Sequence, residues 1–292
     1  MRARHYNIVQ QMQQIEGPIG VFDSGYGGLT ILRKLQEQLP QYDFVYLGDN
    51  ARSPYGSRSM RVVYQFTKEA VERLFDLGCP LVILACNTAS AKALRQIQQE
   101  DLPKLDGGSM RRRVLGIIRP TVECIDTLTG TKHVGILATE GTVSSESYVA
   151  EIHKLYPDVT VVQEACPLWV PIVETGESDS PGTDFFVRKH LERLLAQDEK
   201  IDTIILGCTH YPILMPKIQR LLTPSIKVVA QGELVAKSLE EYLVRHPEMA
   251  AQLTHGGTTR YYTTEQTERF SRTASIFFDT PISVEHLSLS QY

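Results

Sequence analysis

Two of the five cysteines occupy matching contexts, and a matched pair of thiols can do chemistry that a single one cannot. The first lies in PLVILACNTASA, residues 80–91, and the second in DTIILGCTHYPIL, residues 202–214. In each, an apolar run of buried-strand length stops at a small residue. Then come a cysteine (Cys86 or Cys208), hydrogen-bonding residues (Asn87-Thr88 or Thr209-His210) and a helix start. A cysteine ending a core strand is ordinarily a small buried residue, but a strand continuing through a core would stay apolar where these turn polar. Cys79, Cys124 and Cys166 sit beside helix ends or apolar neighbours with no repeated context, so they are read as structural.

Thiols offered from two similar lobes to opposite sides of one ligand suit inversion at a carbon acid without a cofactor. One base removes a proton from one face while an acid delivers a proton to the other. A free thiol of pKa about 8.5 is only a few per cent thiolate at neutral pH, so a helix N-terminus or a nearby cation must favour the anion on one of them. General acid and base catalysis supplies on the order of 10²–10⁴-fold each. The remainder must come from donors around a doubly negative, enolate-like carboxylate, for which helix-start amides and the hydroxyls of Ser24, Thr88 and Thr209 are candidates. His210 has two readings, as proton partner of Cys208 or as a histidine satisfied at a helix start. Asp23 also has two, orienting Cys86 or a substrate ammonium, or capping a helix.

The elements that must carry these residues repeat as well. IGVFDSGYGG begins at Ile19 and VGILATEGTV at Val134, 115 residues on, and the two cysteines are 122 apart. Each half reads as strand, glycine-containing loop, helix, then a later strand ending in the cysteine. Strands alternating with helices across long connections give mainly parallel sheets covered on both faces, with ligands at the carboxyl ends of the strands. The fold expected is therefore α/β: two similar lobes with mainly parallel central sheets flanked by helices, related by a pseudo-twofold, with the active site between them. Residues 1–16 read as an N-terminal leader, 17–110 with 228–292 as lobe one and 111–227 as lobe two. The glycine-rich, charged stretch at 106–113 serves as the crossover.

Along the chain, SGYGG follows the first strand, and the dinucleotide fingerprint fails because the third glycine is out of register. Gly25, Gly27 and Gly28 either permit a tight turn or expose amides to a small anion. The strand FVYLG leads into a turn-rich segment with Tyr55 and Gly56, the kind of rim loop that carries contacts. A helix ends at Gly78, and the helix after Cys86 is expected to break at Pro103. The stretch with Cys166, Pro167 and the sole tryptophan reads as a strand running into a turn.

Composition excludes several classes. Net charge is −4 with dispersed basic residues, which offers no stripe for nucleic acid. No run approaches the roughly 18–20 apolar residues of a membrane span, and the leader lacks a secretory apolar core. Five widely spaced cysteines suit reduced thiols in the cytoplasm.

The segments FDSGYGGLT, YLGDNARSPYG, ACNTASA, CPLWVPIVE and LGCTHYP, in this order over residues 19–216, resemble the pyridoxal-independent glutamate racemases of the aspartate/glutamate racemase superfamily. The resemblance implies that Cys86 and Cys208 are the two bases, assisted by Asp23, Glu174 and His210. Asp23-Ser24, Tyr55-Gly56, Asn87-Thr88 and Thr209-His210 would then contact the substrate, glutamate, with Thr142 helping to hold its carboxylate. It further implies no cofactor and no metal, a homodimer, and a cytoplasmic supply of D-glutamate for peptidoglycan. Aspartate racemase is the neighbouring alternative. A metal-dependent hydrolase using Cys86, Cys208, His210 and Asp23 lacks close ligand spacing, and a non-catalytic binding protein would need no matched thiols.

Overall fold

The computed structural model describes residues 16–105, 111–278 and 281–289. The leader up to residue 15 and residues 106–110 of the expected crossover lie outside the described residues.

Two parallel sheets form the framework. The larger contains β1 (Ile19–Asp23), β2 (Phe44–Gly48), β3 (Leu81–Leu84), β4 (Arg113–Gly116), β9 (Thr259–Thr263) and β10 (Val284–His286), in the order β10-β9-β2-β1-β3-β4. The smaller contains β5 (His133–Ala138), β6 (Thr160–Ala165), β7 (Thr203–Gly207) and β8 (Lys227–Val229), in the order β6-β5-β7-β8. The second order is the first four strands over again, with β5 standing for β1 and β7 for β3. Every pairing is parallel, so helices cover both faces of each sheet.

Burial follows from this arrangement. The central strands β1, β3 and β7 are buried along their whole length, which is why they read as unbroken apolar runs, whereas the edge strand β6 is half-exposed. Helix α1 (Gly28–Gln38) follows β1, and α2 (Met60–Asp76) precedes β3. Gly78 closes α2 with φ +88°, the left-handed turn that glycine takes without steric cost. Helix α3 (Asn87–Lys92) starts immediately after Cys86, at the carboxyl end of β3.

Two expectations are corrected and a third is extended. Strand β4, placed at the start of lobe two, instead pairs with β3 and edges the larger sheet, as β8 edges the smaller. The helical run after Cys86 does not break at Pro103; it widens to π geometry over Ile97–Asp101 and continues over Leu102–Leu105. The strand ending at Ala165 does run into a turn over Cys166–Trp169, closed by the Trp169 N–H donating to the Cys166 carbonyl at 3.3 Å, and the chain then continues as helix α7 (Trp169–Glu174), with α4 (Ile118–Glu123), α5 (Glu140–Ser144) and α6 (Ser147–Leu155) preceding it. Pro171 sits in the first turn of α7, where its missing N–H breaks no helical hydrogen bond.

Among the described residues, the other α-helices longer than four residues are α8 (Pro181–Leu195), α9 (Met215–Leu221), α10 (Gly232–Arg245) and α11 (Thr267–Ala274). The segment after each lobe's last strand crosses over: α4, following β4, packs on α6, while α10, following β8, packs on α1. The C-terminal strands β9 and β10 return to the larger sheet. Among the described residues, no helix is long and apolar enough to cross a membrane.

Candidate active site

The carboxyl ends of β1, β3, β5 and β7 converge on one partly enclosed cavity of about 80 Å³. Cys86 and Cys208 both line it, each delivered by the end of a fully buried central strand, one from each sheet. Asp23, Ser24, Tyr55, Gly56, Asn87, Thr88, Thr209 and His210 line it too. Glu174 and Thr142 do not reach the cavity wall and act, if at all, through neighbours that do.

The two thiols have different partners. On the β3 side, Ser24 Oγ lies 3.2 Å from Cys86 Sγ. The neighbouring carboxylate, Asp23, accepts the Gly25 N–H at 3.0 Å. Burial raises the Asp23 pKa, opposed by the charge of His210 and by backbone N–H donors. Burial likewise pushes the Cys86 thiol up to about 12, and the Asp23 charge adds to that rise while the Ser24 hydrogen bond counters it. Cys86 therefore rests as a thiol.

On the β7 side the partner is a histidine held by a carboxylate. Cys208 Sγ lies 3.9 Å from His210 Nδ1, and His210 Nε2 lies 2.9 Å from Glu174 Oε1. Burial works against a charged imidazole, but Cys208 and Glu174 outweigh it and raise the His210 pKa to about 10. An imidazolium at neutral pH thus faces the Cys208 sulfur. The approach of His210 Nδ1 to that sulfur is what its reading as a proton partner requires. Glu174 is supplied by α7, the helix that the prolines hid.

A hydroxyl cluster bridges the lobes across the cavity floor. Thr88 Oγ1 lies 3.0 Å from Thr139 Oγ1 and 3.4 Å from Thr142 Oγ1, and Thr139 and Thr142 are 3.1 Å apart. Thr139 lines the cavity and sequence reasoning missed it, although the repeat offset contained the signal. Ile19 maps to Val134, so Ser24 maps to Thr139, and both follow the central strand of their sheet. Ser53, Pro54, Ser57, Glu140, Pro167, Val170 and Pro171 complete the wall and were also missed.

Other side chains are already committed. The Tyr55 hydroxyl donates to Asp49 Oδ2 at 2.5 Å, and the Gly56 carbonyl accepts from the Gly141 N–H across the lobes at 2.7 Å. The glycines of SGYGG serve a purpose that neither sequence reading named. None of Gly25, Gly27 and Gly28 has positive φ, and none lines the cavity. A Cβ on Gly27 would lie 2.4 Å from His210 Nδ1 and 2.5 Å from Thr209 Oγ1, and one on Gly28 would lie 2.5 Å from Asp23 Cβ. Gly27 leaves room for the other lobe's Thr209–His210 turn, and Gly28 for Asp23 of its own lobe; Thr30 Oγ1 fastens the contact between the lobes by donating to the Thr209 carbonyl at 3.0 Å.

Residues 19–239 match the Asp/Glu/hydantoin racemase family. The chain is 41% identical over 277 residues to a glutamate racemase of Paracoccus denitrificans (strain Pd 1222), covering 91% of this chain and 98% of that one. It superposes on a glutamate racemase isoform of Bacillus anthracis with a TM-score of 0.84 at 32% identity, covering 94% of this chain and 98% of the other. For a glutamate racemase of Francisella tularensis in complex with D-glutamate, the TM-score is 0.82 at 32% identity, with 95% and 100% covered.

Proposed function

The chain belongs to the Asp/Glu/hydantoin racemase family and is an amino-acid racemase; on that premise we propose that it interconverts L- and D-glutamate with Cys86 and Cys208 as its two bases and without a cofactor. The observation that carries the proposal is that thiols from two different lobes open onto one cavity. The substrate assignment follows the relatives, which are glutamate racemases at comparable length.

In the proposed reaction, a thiolate takes the α-proton on one face, and the thiol opposite returns a proton to the other face. The two sulfurs exchange protonation states, which leaves the enzyme poised for the reverse direction until their protons re-equilibrate with solvent. His210, held by Glu174, governs proton transfer at Cys208, while Asp23 and Ser24 govern it at Cys86. Charge that accumulates on the substrate carboxylate is met by the hydroxyls of Ser24, Thr88, Thr139 and Thr209, which are preorganised in a site sheltered from bulk water. We further infer that the enzyme works in the cytoplasm as a homodimer and supplies D-glutamate for peptidoglycan.

The test is α-hydrogen exchange in D₂O with each enantiomer of glutamate and of aspartate. Wild type is expected to racemise glutamate and to incorporate deuterium on product. Cys86→Ser and Cys208→Ser are each expected to abolish racemisation, leaving residual effects that depend on the enantiomer offered. Two-way turnover in either variant would remove the two-thiol mechanism, and preference for aspartate would remove the substrate assignment.

A further inference from the structure

Asn87 lines the cavity one residue after Cys86, at the first position of α3, and its side chain is held rather than loose. Its Nδ2 donates to Gln231 Oε1 at 2.6 Å, and its Oδ1 accepts from the Tyr148 hydroxyl at 2.7 Å. Gln231 Nε2 closes the ring by donating to the Tyr148 oxygen at 2.8 Å, and it also reaches Thr121 Oγ1 at 3.0 Å and the Ile117 carbonyl at 3.2 Å. Asn87, Tyr148 and Gln231 are each no more than 2% exposed. A buried carboxamide keeps its orientation when both ends are paired, because rotating it would place donor against donor.

The members of this ring come from the places where the lobes join. Asn87 follows β3 of the larger sheet, and Tyr148 lies on α6 of the smaller lobe. Ile117 and Thr121 belong to the crossing after β4, and Gln231 immediately precedes α10 in the crossing after β8. Both crossings therefore meet at the Gln231 carboxamide, which pairs with Asn87, the residue that follows Cys86.

We propose that Gln231, with Tyr148, is a positioning residue for Asn87: the pair fixes the Asn87 carboxamide so that its second N–H is presented to the ligand, and ties that donor to the relative placement of the lobes. One N–H and the oxygen of Asn87 are consumed by the ring, which leaves the second N–H as the donor the side chain can offer. A free carboxamide would spend part of its time with oxygen towards a substrate carboxylate, which repels rather than binds. Substrate affinity is thus set in part by a residue that never touches substrate. The inference rests on the glutamate reading for its kinetic arm only.

The test combines a spectroscopic and a kinetic readout. In the ¹⁵N-labelled full-length protein, the Asn87 side-chain N–H pair, assigned by its loss in Asn87→Ala, is expected to exchange slowly with solvent. In Gln231→Leu that protection should drop by at least tenfold. Protection unchanged in Gln231→Leu overturns the proposal, whatever the substrate proves to be. Kinetically, Gln231→Leu should raise KM for both enantiomers by on the order of tenfold, the scale of one buried hydrogen bond, with a smaller change in kcat. In the Asn87→Ala background it should raise KM no further, since the group it positions is gone. Full additivity of the two substitutions, or a loss of kcat at constant KM, would mean that Gln231 merely supports the fold. Tyr148→Phe keeps the ring's shape and removes the donor to Asn87 Oδ1 together with the acceptor of Gln231 Nε2. It should shift KM in the same direction, and an unchanged KM there also counts against positioning. If wild type fails to racemise glutamate, the functional reading falls while the exchange measurement still decides the role of Gln231.

Discussion

His210 and Glu174 are joined Nε2 to Oε1 at 2.9 Å, on the side of the imidazole ring opposite Cys208. The carboxylate is partly open to solvent while the histidine is buried, so a partly hydrated charge backs a buried ring. The strength of this pairing sets how far into the alkaline range the ring stays protonated.

Glu174→Gln removes one of the two influences that raise the His210 pKa to about 10. A raised histidine is protonated below its folded pKa and loses its proton as pH climbs through it. The alkaline limb of kcat/KM should therefore move to lower pH, by about one unit, with a fall in kcat of roughly tenfold or more. A pH–rate profile whose alkaline limb stays in place would detach Glu174 from the mechanism.

Cys86 is held as a thiol by burial and by the Asp23 charge, with its pKa pushed up to about 12. Its alkylation by iodoacetamide, followed by peptide mass spectrometry in the ligand-free enzyme, should still be accelerating at pH 10, where an ordinary thiol has levelled off. In Asp23→Asn, with the negative neighbour removed, the rise should begin at lower pH. A wild-type plateau near pH 9 would contradict the account of this half of the site.

Gly27→Ala would place a methyl group 2.4 Å from His210 Nδ1 and 2.5 Å from Thr209 Oγ1. Because Gly27 has ordinary helical φ, the substitution costs nothing in backbone strain. The consequence should fall on the catalytic turn: kcat reduced by on the order of 10²-fold, as expected for reacting groups displaced by about 1 Å. Circular dichroism and Tm measured beside kcat would separate this from unfolding, and near-wild-type turnover would show that the lobes can part without penalty.

Asp202 fastens the end of the smaller sheet remote from the cavity. It accepts from Thr129 Oγ1 at 2.6 Å, Gly130 N at 2.7 Å, Thr131 N at 2.9 Å and Thr203 Oγ1 at 3.0 Å. Burial disfavours its charge, but these donors prevail and hold its pKa at about 2. A depressed carboxylate contributes stability above its unfolded pKa and loses it as pH falls through the folded one. Asp202→Asn should cost about 1 kcal/mol, roughly 2–4 °C in Tm, at pH 7. The difference should shrink from pH 4 down to pH 2 and turnover should be unchanged, so a constant difference down to pH 2 would rule out the charge as its source.

Local pattern carried much of this protein. The unbroken apolar runs before Cys86 and Cys208 fixed two buried central strands, and a thiol that follows such a strand must lie at the carboxyl edge of its sheet. The repeat offset fixed the pairing of the halves, and even held Thr139, since the residue after β5 must sit where Ser24 sits after β1. These features depend on side-chain periodicity within a few residues, which backbone geometry enforces anywhere in a chain.

The tertiary structure decided which distant groups meet. Glu174 meets His210 across 36 residues within the smaller lobe, and Asn87 meets Gln231 across 144, where the crossing after β8 packs beside β3. Strand β4 took its place on the larger sheet because hydrogen bonding to the β3 edge, not the position of a glycine-rich stretch, determines membership of a sheet. The glycines before α1 read as a turn or an anion cradle, and Gly27 besides provides clearance for the other lobe's Thr209–His210 turn. Such outcomes are sums of packing and desolvation over the whole molecule, and no window of sequence contains them.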